Sequence, residues 1–198
     1  MMQRISDKLT NFLIEKNIVR NDDREIYIYG LLAMFSTVIN FFLILFIGLV
    51  AGLLFETLIY LFGFALLRCY CGGYHAKTQL GCVLSFTAIY ALSMAAYYFL
   101  PAEYNRLFSM ISAGACLIFI FIFAPIEHKN RSFEGNEYKK FRLVSRIIAL
   151  MYGFMIYSIS IFFNQFIKVA IVLSLVMISV SFVLALALVL NERSEYND

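Results

Sequence analysis

Long apolar runs separated by short clusters of charged residues make up most of this chain. The first of these runs carries one charged side chain, Glu56, and about 20 helical residues suffice to cross the hydrocarbon core of a bilayer. It therefore predicts two membrane spans, near 28–48 and 51–67, and their tight reversal is expected around Gly48 and Gly52. Four further apolar runs each predict one span: 82–100, 107–124, 147–163 and 169–190. The pattern predicts an all-α integral membrane protein with about six transmembrane helices, although a four-span fold with re-entrant segments also fits.

The first 25 residues are polar, yet they are patterned as one amphipathic helix. Their apolar residues recur at the spacing of one helical face: Ile5, Leu9, Phe12 and Leu13. Basic residues occupy the other faces, which predicts a helix lying on the membrane surface. Packing on the loops as a soluble cap is the alternative. We divide the single predicted domain into a surface helix at the cytoplasmic face (1–25), a transmembrane bundle (26–190) and a cytoplasmic tail (191–198).

Composition and charge exclude other classes of protein. The chain is 62% hydrophobic and 15% charged, whereas soluble domains carry about 25% charged residues. A soluble domain and a disordered chain are therefore excluded, and the dispersed net charge of +3 gives no indication of nucleic-acid binding. With six spans, fourteen of the sixteen Lys and Arg residues fall on one side of the membrane. The positive-inside rule then predicts a multi-pass protein with both termini in the cytoplasm.

One polar segment between the second and third predicted spans, 68–82, concentrates reactive side chains. It holds three of the four cysteines and one of the two histidines of the chain. A histidine and a cysteine are the minimum for thiol nucleophilic catalysis, because the imidazole removes the thiol proton. Two other interpretations are open: a structural turn, or a metal site made of Cys69, Cys71, His75 and Cys82. The cysteine spacing lacks the paired C-x2-C of common zinc sites, so we expect no metal and no cofactor.

The pairing of His75 with Cys82 requires the backbone to fold between them. On one straight helix the two residues would lie about 10 Å apart along the axis, which is too far for a hydrogen bond. Three glycines permit such a fold: Gly72, Gly73 and Gly81. Cys82 would then lie in the first turn of the third span, where the helix N-terminus favours a thiolate. The geometry required for catalysis is therefore available to this sequence.

The run Arg68, Gly72-Gly73-Tyr74-His75-Ala76 and Cys82 resembles the accessory gene regulator protein B (AgrB) family. These proteins are bacterial membrane endopeptidases that process quorum-sensing propeptides. The resemblance implies that His75 is the catalytic histidine, that Cys82 is the nucleophile, and that the remaining motif residues shape the site: Arg68, Gly72, Gly73, Tyr74 and Gly81. It also implies an AgrD-like propeptide as substrate, a cyclic thiolactone or lactone as product, and a homodimer. Cys69 and Cys71 are not part of the family pattern.

A third catalytic group is less clearly indicated by the sequence. A histidine base is often oriented by a carboxylate or an amide, and Glu127 and Asn130 lie on the same predicted side as His75, just after Pro125. Solvated loop residues are the alternative interpretation of both. Glu56 is predicted near the opposite side of the membrane. We interpret His128 as a surface residue.

A basic loop is predicted between the fourth and fifth spans, over 126–146. Its basic residues set the membrane topology and contact anionic lipid, and some could also bind an acidic part of the propeptide: Lys129, Arg131, Lys139 and Lys140. The alternative function, from another class, is a small transporter or channel subunit without covalent chemistry. Such a protein would place charged or Pro/Gly-broken positions at mid-span. The polar residues here gather at one membrane face, which favours an interfacial enzyme.

Overall fold

A computed structural model describes residues 2–16, 18–73, 78–126 and 136–195 of the chain. These residues form seven α-helices: α1 (Met2–Glu15), α2 (Arg24–Val50), α3 (Leu54–Cys71), α4 (Gln79–Phe99), α5 (Asn105–Phe123), α6 (Glu137–Phe162) and α7 (Ile167–Glu195). Helices α2 to α7 are long and apolar enough to cross a membrane. The predicted all-α membrane fold, with six spans after an amphipathic N-terminal helix, is confirmed.

Helix α7 forms the centre of the bundle and packs against α3, α4, α5 and α6. Its residues are apolar on every side, and the stretch from Ala170 to Met177 is buried throughout. A helix that is hydrophobic all round is one that other helices surround. Helices α2 and α4 lie at the edge of the bundle and expose large apolar side chains such as Phe46 and Leu92. A bilayer would cover these exposed residues.

The reversal between α2 and α3 uses its two glycines differently. Gly52 lies in the turn with a φ of +71°, a conformation that favours glycine. Gly48 is still inside α2, where an added Cβ would overlap the side chain of Thr57 on α3. Gly48 therefore allows the two helices to approach closely, and Gly52 makes the turn.

The predicted basic loop over 126–146 is wrong in its second half, because α6 already begins at Glu137. Lys139 and Lys140 are helical, and Arg146 donates a hydrogen bond from Nη2 to the Phe121 carbonyl at 2.7 Å. The Arg146 guanidinium also lies 5.2 Å from the centre of the Phe121 ring. These contacts hold the polar first turns of α6 against α5. Lys and Arg are also good helix formers, so a basic segment can begin a helix.

Helix α3 also extends further than its apolar run predicts, through Cys71, and α7 continues through Glu195. The helices alternate in direction along the chain. The starts of α2, α4 and α6 therefore lie at the same end of the bundle as the ends of α3, α5 and α7. We call this end the Cys82 end. The opposite end, where α3 begins, we call the Glu56 end.

Candidate active site

At the Cys82 end, the last turn of α3 is capped by hydrogen bonds between Arg68 and Gly72. The Gly72 amide donates to the Arg68 carbonyl at 3.2 Å, and the Arg68 guanidinium donates to the Gly72 carbonyl. Gly72 and Gly73 have φ values of +71° and +122°. A Cβ on Gly73 would lie 2.9 Å from Nη1 of Arg68 and 3.1 Å from Cγ1 of Val183 on α7. The backbone conformation therefore favours glycine at this turn, and a Cβ on Gly73 would also press on the side chains of Arg68 and Val183.

A second backbone segment is held on this turn. Gly72 and Ile126 form an isolated parallel β-bridge, in which the Ile126 amide donates to the Cys71 carbonyl at 3.1 Å. A Cβ on Gly72 would overlap the Ile126 carbonyl oxygen, so the glycine also permits this close approach. The bridge joins the chain just before position 127 to the chain just before position 74. Nothing in the hydrophobic pattern signals this contact.

Cys82 lies in the first turn of α4, as the sequence predicts. Thr78 caps this helix: its Oγ1 accepts from the Gly81 amide at 3.1 Å, and its carbonyl accepts from the Cys82 amide at 3.0 Å. Gly81 is therefore part of a regular helical turn, and the unusual backbone angles belong to Gly72 and Gly73. The Cys82 thiol is free and half-buried. Its position at a helix N-terminus favours the thiolate.

Among the described residues, the Arg68 guanidinium is a cation close to the cysteines of this region. It interacts electrostatically with Cys82, and also with Cys71 and Cys69 at the end of its own helix. Partial burial of the Cys82 thiol opposes a negative charge on it, and the nearby cation offsets part of that cost. Cys71 is fully buried and Cys69 is exposed. Of the three thiols, only Cys82 combines partial exposure with a position at a helix N-terminus.

Several predicted site residues lie outside the described residues. They are Tyr74 and His75, together with Glu127, Lys129, Asn130 and Arg131, and His128, interpreted as a surface residue, lies outside them as well. The pairing of His75 with Cys82 and the identity of a histidine-orienting group thus stay predictions. Within the described ranges, no group of three or more His, Cys, Asp or Glu residues could hold a metal ion.

Glu56 lies far from this region, in the first turn of α3. Its Oε1 accepts a hydrogen bond from the Tyr97 hydroxyl at 2.9 Å. Arg68 follows Glu56 by twelve positions, which corresponds to about 18 Å along α3. The carboxylate is therefore too distant to take part in chemistry at Cys82.

The basic residues of α6 lie at the Cys82 end. The side chains of Lys139 and Lys140 are exposed in its first turns. The Phe141 ring packs 5.6 Å from the Tyr70 ring of α3, which ties the start of α6 to the end of α3. Neither this contact nor the Thr78 cap was predicted from the sequence. The preference of Thr for helix N-caps is a signal that could have identified the cap.

The fold and the site define a multi-pass membrane protein that presents a half-buried thiol at one end of its bundle. The profile of the family described as Accessory gene regulator B matches residues 6–189. The chain therefore belongs to the AgrB family, as its motif predicts. Membership of this family links the chain to the processing of quorum-sensing peptides, to an AgrD-type propeptide and to membrane lipids.

Curated relatives agree with this assignment. AgrB-like protein 2 of Clostridium perfringens (strain 13 / Type A) is 27% identical over 172 residues, which cover 83% of this chain and 80% of the relative. An AgrB-like protein of Listeria monocytogenes serotype 4b (strain CLIP80459) is 30% identical over 139 residues, covering 69% of this chain and 67% of the relative. No solved structure matches the chain at a significant level.

Proposed function

We propose that this protein is a membrane cysteine endopeptidase that cleaves the C-terminal part from an AgrD-type propeptide, with Cys82 as the nucleophile and His75 as the base. The observation that carries the proposal is the placement of the Cys82 thiol. It is free and half-buried at the capped start of α4, within electrostatic range of the Arg68 guanidinium. Family membership supplies the substrate class.

The first chemical step forms an acyl-enzyme. His75 removes the thiol proton, and the Cys82 sulfur attacks the scissile carbonyl of the propeptide. The C–N bond then breaks, and His75 returns the proton to the leaving amine. The N-terminal part of the propeptide remains attached to Cys82 as a thioester. In this scheme Arg68 stabilises the thiolate and holds the Gly72 carbonyl, which keeps the turn before His75 in place.

The second step releases a cyclic peptide. A thiol of the bound propeptide, or a hydroxyl, attacks the thioester and closes a thiolactone or a lactone. Its proton passes through His75 to the Cys82 sulfur, which regenerates the free thiol. Exchange of one thioester for another is nearly thermoneutral, whereas hydrolysis is strongly favourable. The site must therefore exclude water during this step, and a partly buried thiol at a membrane interface suits that requirement.

Glu127 and Asn130 are the groups that we propose to orient His75. Glu127 directly follows Ile126, which the β-bridge holds on Gly72, three residues before His75 in the chain. Tyr74 and Gly81 complete the proposed motif. Tyr74 directly precedes His75 in the sequence, and Gly81 directly precedes Cys82. A carboxylate or an amide on one imidazole nitrogen fixes the tautomer that the base requires.

We further propose that basic residues at the Cys82 end bind an acidic part of the propeptide. These residues are Lys129, Arg131, Lys139 and Lys140, of which the last two are exposed on α6. The concentration of basic residues at this end supports a cytoplasmic position for it and for both termini. The protein would then lie in the bacterial cell membrane as one domain, with a surface helix (1–25), a bundle (26–190) and a cytoplasmic tail (191–198). On the family resemblance we also propose a homodimer, which crosslinking in native membranes would detect.

Co-expression with the cognate propeptide tests the catalytic assignment. Processing is followed by mass spectrometry of the peptide products and of the intact protein. We expect that Cys82→Ala and His75→Ala abolish cleavage, and that the matched control variants Cys69→Ala and Cys116→Ala retain it. A protein mass increased by the N-terminal part of the propeptide would identify the thioester. Cleavage that survives both Cys82→Ala and His75→Ala would contradict the proposal, and peptide transport without cleavage would favour a transporter.

A further inference from the structure

The N-terminal helix α1 distributes its side chains in the opposite way to a helix in water. The side chains of Ser6 and Thr10 are fully buried, and neither hydroxyl has a hydrogen-bond partner among the described residues. Ile5, Leu9 and Phe12 are 45%, 37% and 51% exposed, and they form a stripe on the outer face that we call the α1 stripe. In water both features cost free energy, because buried hydroxyls lose their hydration and apolar surface stays wet. An apolar environment around the outer face removes the second cost.

Helix α1 packs against α2. Nε of Arg24, at the start of α2, donates to Oδ1 of Asn11 at 3.2 Å. Nη2 of Arg24 forms an ion pair with Oδ1 of Asp7 at 3.4 Å. The small, buried side chains of Ser6 and Thr10 suit the close helix packing that is common inside membranes. Since α2 starts at the Cys82 end, α1 belongs to that end as well.

The charges of α1 complement a negatively charged surface. Arg4 and Lys8 are exposed, and the Lys16 ammonium lies 5.8 Å from the centre of the Phe12 ring in the α1 stripe. Cations that border an apolar stripe are the pattern of helices that lie in the plane of an anionic membrane surface. The six spans already require a bilayer next to this helix. A lipid leaflet therefore matches both the apolar stripe and its basic border.

We propose that α1 is an in-plane anchor whose stripe of Ile5, Leu9 and Phe12 inserts among the acyl chains of an anionic leaflet, while Arg4, Lys8 and Lys16 contact lipid phosphates. The anchor fixes the Cys82 end of the bundle at the level of the lipid headgroups. An amphipathic peptide bound to the same leaflet would meet the thiol at that level. The inference does not depend on the proposed catalytic chemistry, because it rests on α1 and α2 alone.

The chain contains no tryptophan, so one introduced tryptophan reports on a single position. Full-length Phe12→Trp protein is placed in nanodiscs, one copy per disc. The discs contain a lipid whose acyl chain carries a doxyl group close to the headgroup, and the quenching of tryptophan fluorescence by this group is measured. The matched control is Glu15→Trp, which exposes the reporter on the polar face of the same helix. We expect lipid quenching at position 12 to be at least about twofold stronger than at position 15, with the reverse order for a water-soluble quencher. Leu9→Trp repeats the test if Phe12→Trp fails to fold.

The lipid charge is tested in the same Phe12→Trp protein. Replacing part of the phosphatidylcholine by phosphatidylglycerol should increase lipid quenching by roughly twofold, and the additional changes Arg4→Gln and Lys8→Gln should remove that increase. Equal lipid quenching at positions 12 and 15 would overturn the anchor. An apolar emission from position 12 without lipid quenching would also overturn it, because another protein segment would then cover the stripe. Identical quenching in the two lipid mixtures would overturn the anionic preference.

Discussion

The two ends of the bundle differ in the partners with which their polar groups form hydrogen bonds. At the Glu56 end and towards mid-membrane, polar side chains pair with one another across helices. Glu56 pairs with Tyr97 at 2.9 Å, and Thr57 with Tyr90 at 2.6 Å. Deeper in the bundle, a cluster of hydroxyls links α3, α4 and α7: Tyr60, Ser93 and Ser179. These pairs satisfy polar groups that lipid could not satisfy, and they fasten the helices together.

Around Cys82, the hydrogen bonds that join the elements use mainly main-chain groups. Arg68 bonds the Gly72 carbonyl, Ile126 bonds the Cys71 carbonyl, and Thr78 bonds two amides of the first turn of α4. The side chain of Cys82 is not needed to hold any of these elements. We therefore expect substitutions near Cys82 to affect propeptide processing, and substitutions of the paired hydroxyls to affect mainly stability.

The largest expected effect separates the ends directly. Cys82→Ala should lower propeptide processing by a factor on the order of 10³ or more, because it removes the nucleophile. Glu56→Gln keeps an acceptor for the Tyr97 hydroxyl and should leave processing within about twofold of the native rate, because the carboxylate lies about 18 Å away along α3. Initial rates in one membrane preparation compare the two. A loss as deep in Glu56→Gln as in Cys82→Ala would show that the ends are not separable.

The second effect tests the backbone at the Cys82 end. Gly73→Ala places a methyl group against Arg68 and Val183 at a φ of +122°, which costs about 1–3 kcal/mol locally. We expect processing to fall roughly 10- to 100-fold while the helical content persists, since a small misplacement at a catalytic centre has effects of this size. Gly30→Ala is the matched control, because nothing lies within 4 Å of its added Cβ. Equal rates in the two variants would contradict a role for the Gly72-Gly73 turn.

The same contrast explains how much of the fold the sequence could predict. The six spans follow from apolar runs long enough to leave no other solution in a membrane. The end of α3 does not follow from the apolar run, because that run stops where Arg68, Cys69 and Cys71 begin. The Arg68 guanidinium, which donates to the Gly72 carbonyl, caps the additional helical turn. The start of α6 is not predicted for a related reason. Its first turns are basic, and a hydropathy pattern does not detect a helix formed by Lys and Arg, although both have high helix propensity.

Prediction of the candidate site was partial. The motif indicates Cys82 and the two glycines because their chemistry and backbone freedom are properties of single residues. The bridge between Gly72 and Ile126 joins residues 54 positions apart through one pair of backbone segments, and no periodicity accompanies it. Such a contact depends on how α3 and α5 end beside each other. Only the packed bundle determines that arrangement.

The third effect is smaller and concerns the Thr78 cap. Thr78→Ala removes the acceptor of the Gly81 amide and should destabilise the first turn of α4 by about 1 kcal/mol. Since Cys82 lies in that turn, we expect processing to fall severalfold, with little change in thermal stability of the whole bundle. Thr78→Ser and Thr78→Asp keep a capping oxygen and should retain the native rate. If neither variant is more active than Thr78→Ala, the cap does not position the thiol.

The smallest effect on processing is expected from the paired hydroxyls, although these should have the clearest effect on stability. Thr57→Val keeps the shape of the side chain but leaves the Tyr90 hydroxyl without its 2.6 Å partner, which should cost about 1 kcal/mol. Thr87→Val removes a buried hydroxyl that has no partner among the described residues, so it should be neutral or stabilising. Thermal unfolding in detergent distinguishes the two, and processing rates should remain within about twofold for both. The Thr57 hydroxyl also donates to the Leu53 carbonyl at 2.7 Å. Because both variants make the same chemical change on neighbouring helices, a difference in stability measures the two hydrogen bonds of Thr57 together. Equal stability would mean that packing alone holds this end, and the contrast between the two ends would then rest on the Cys82 end only.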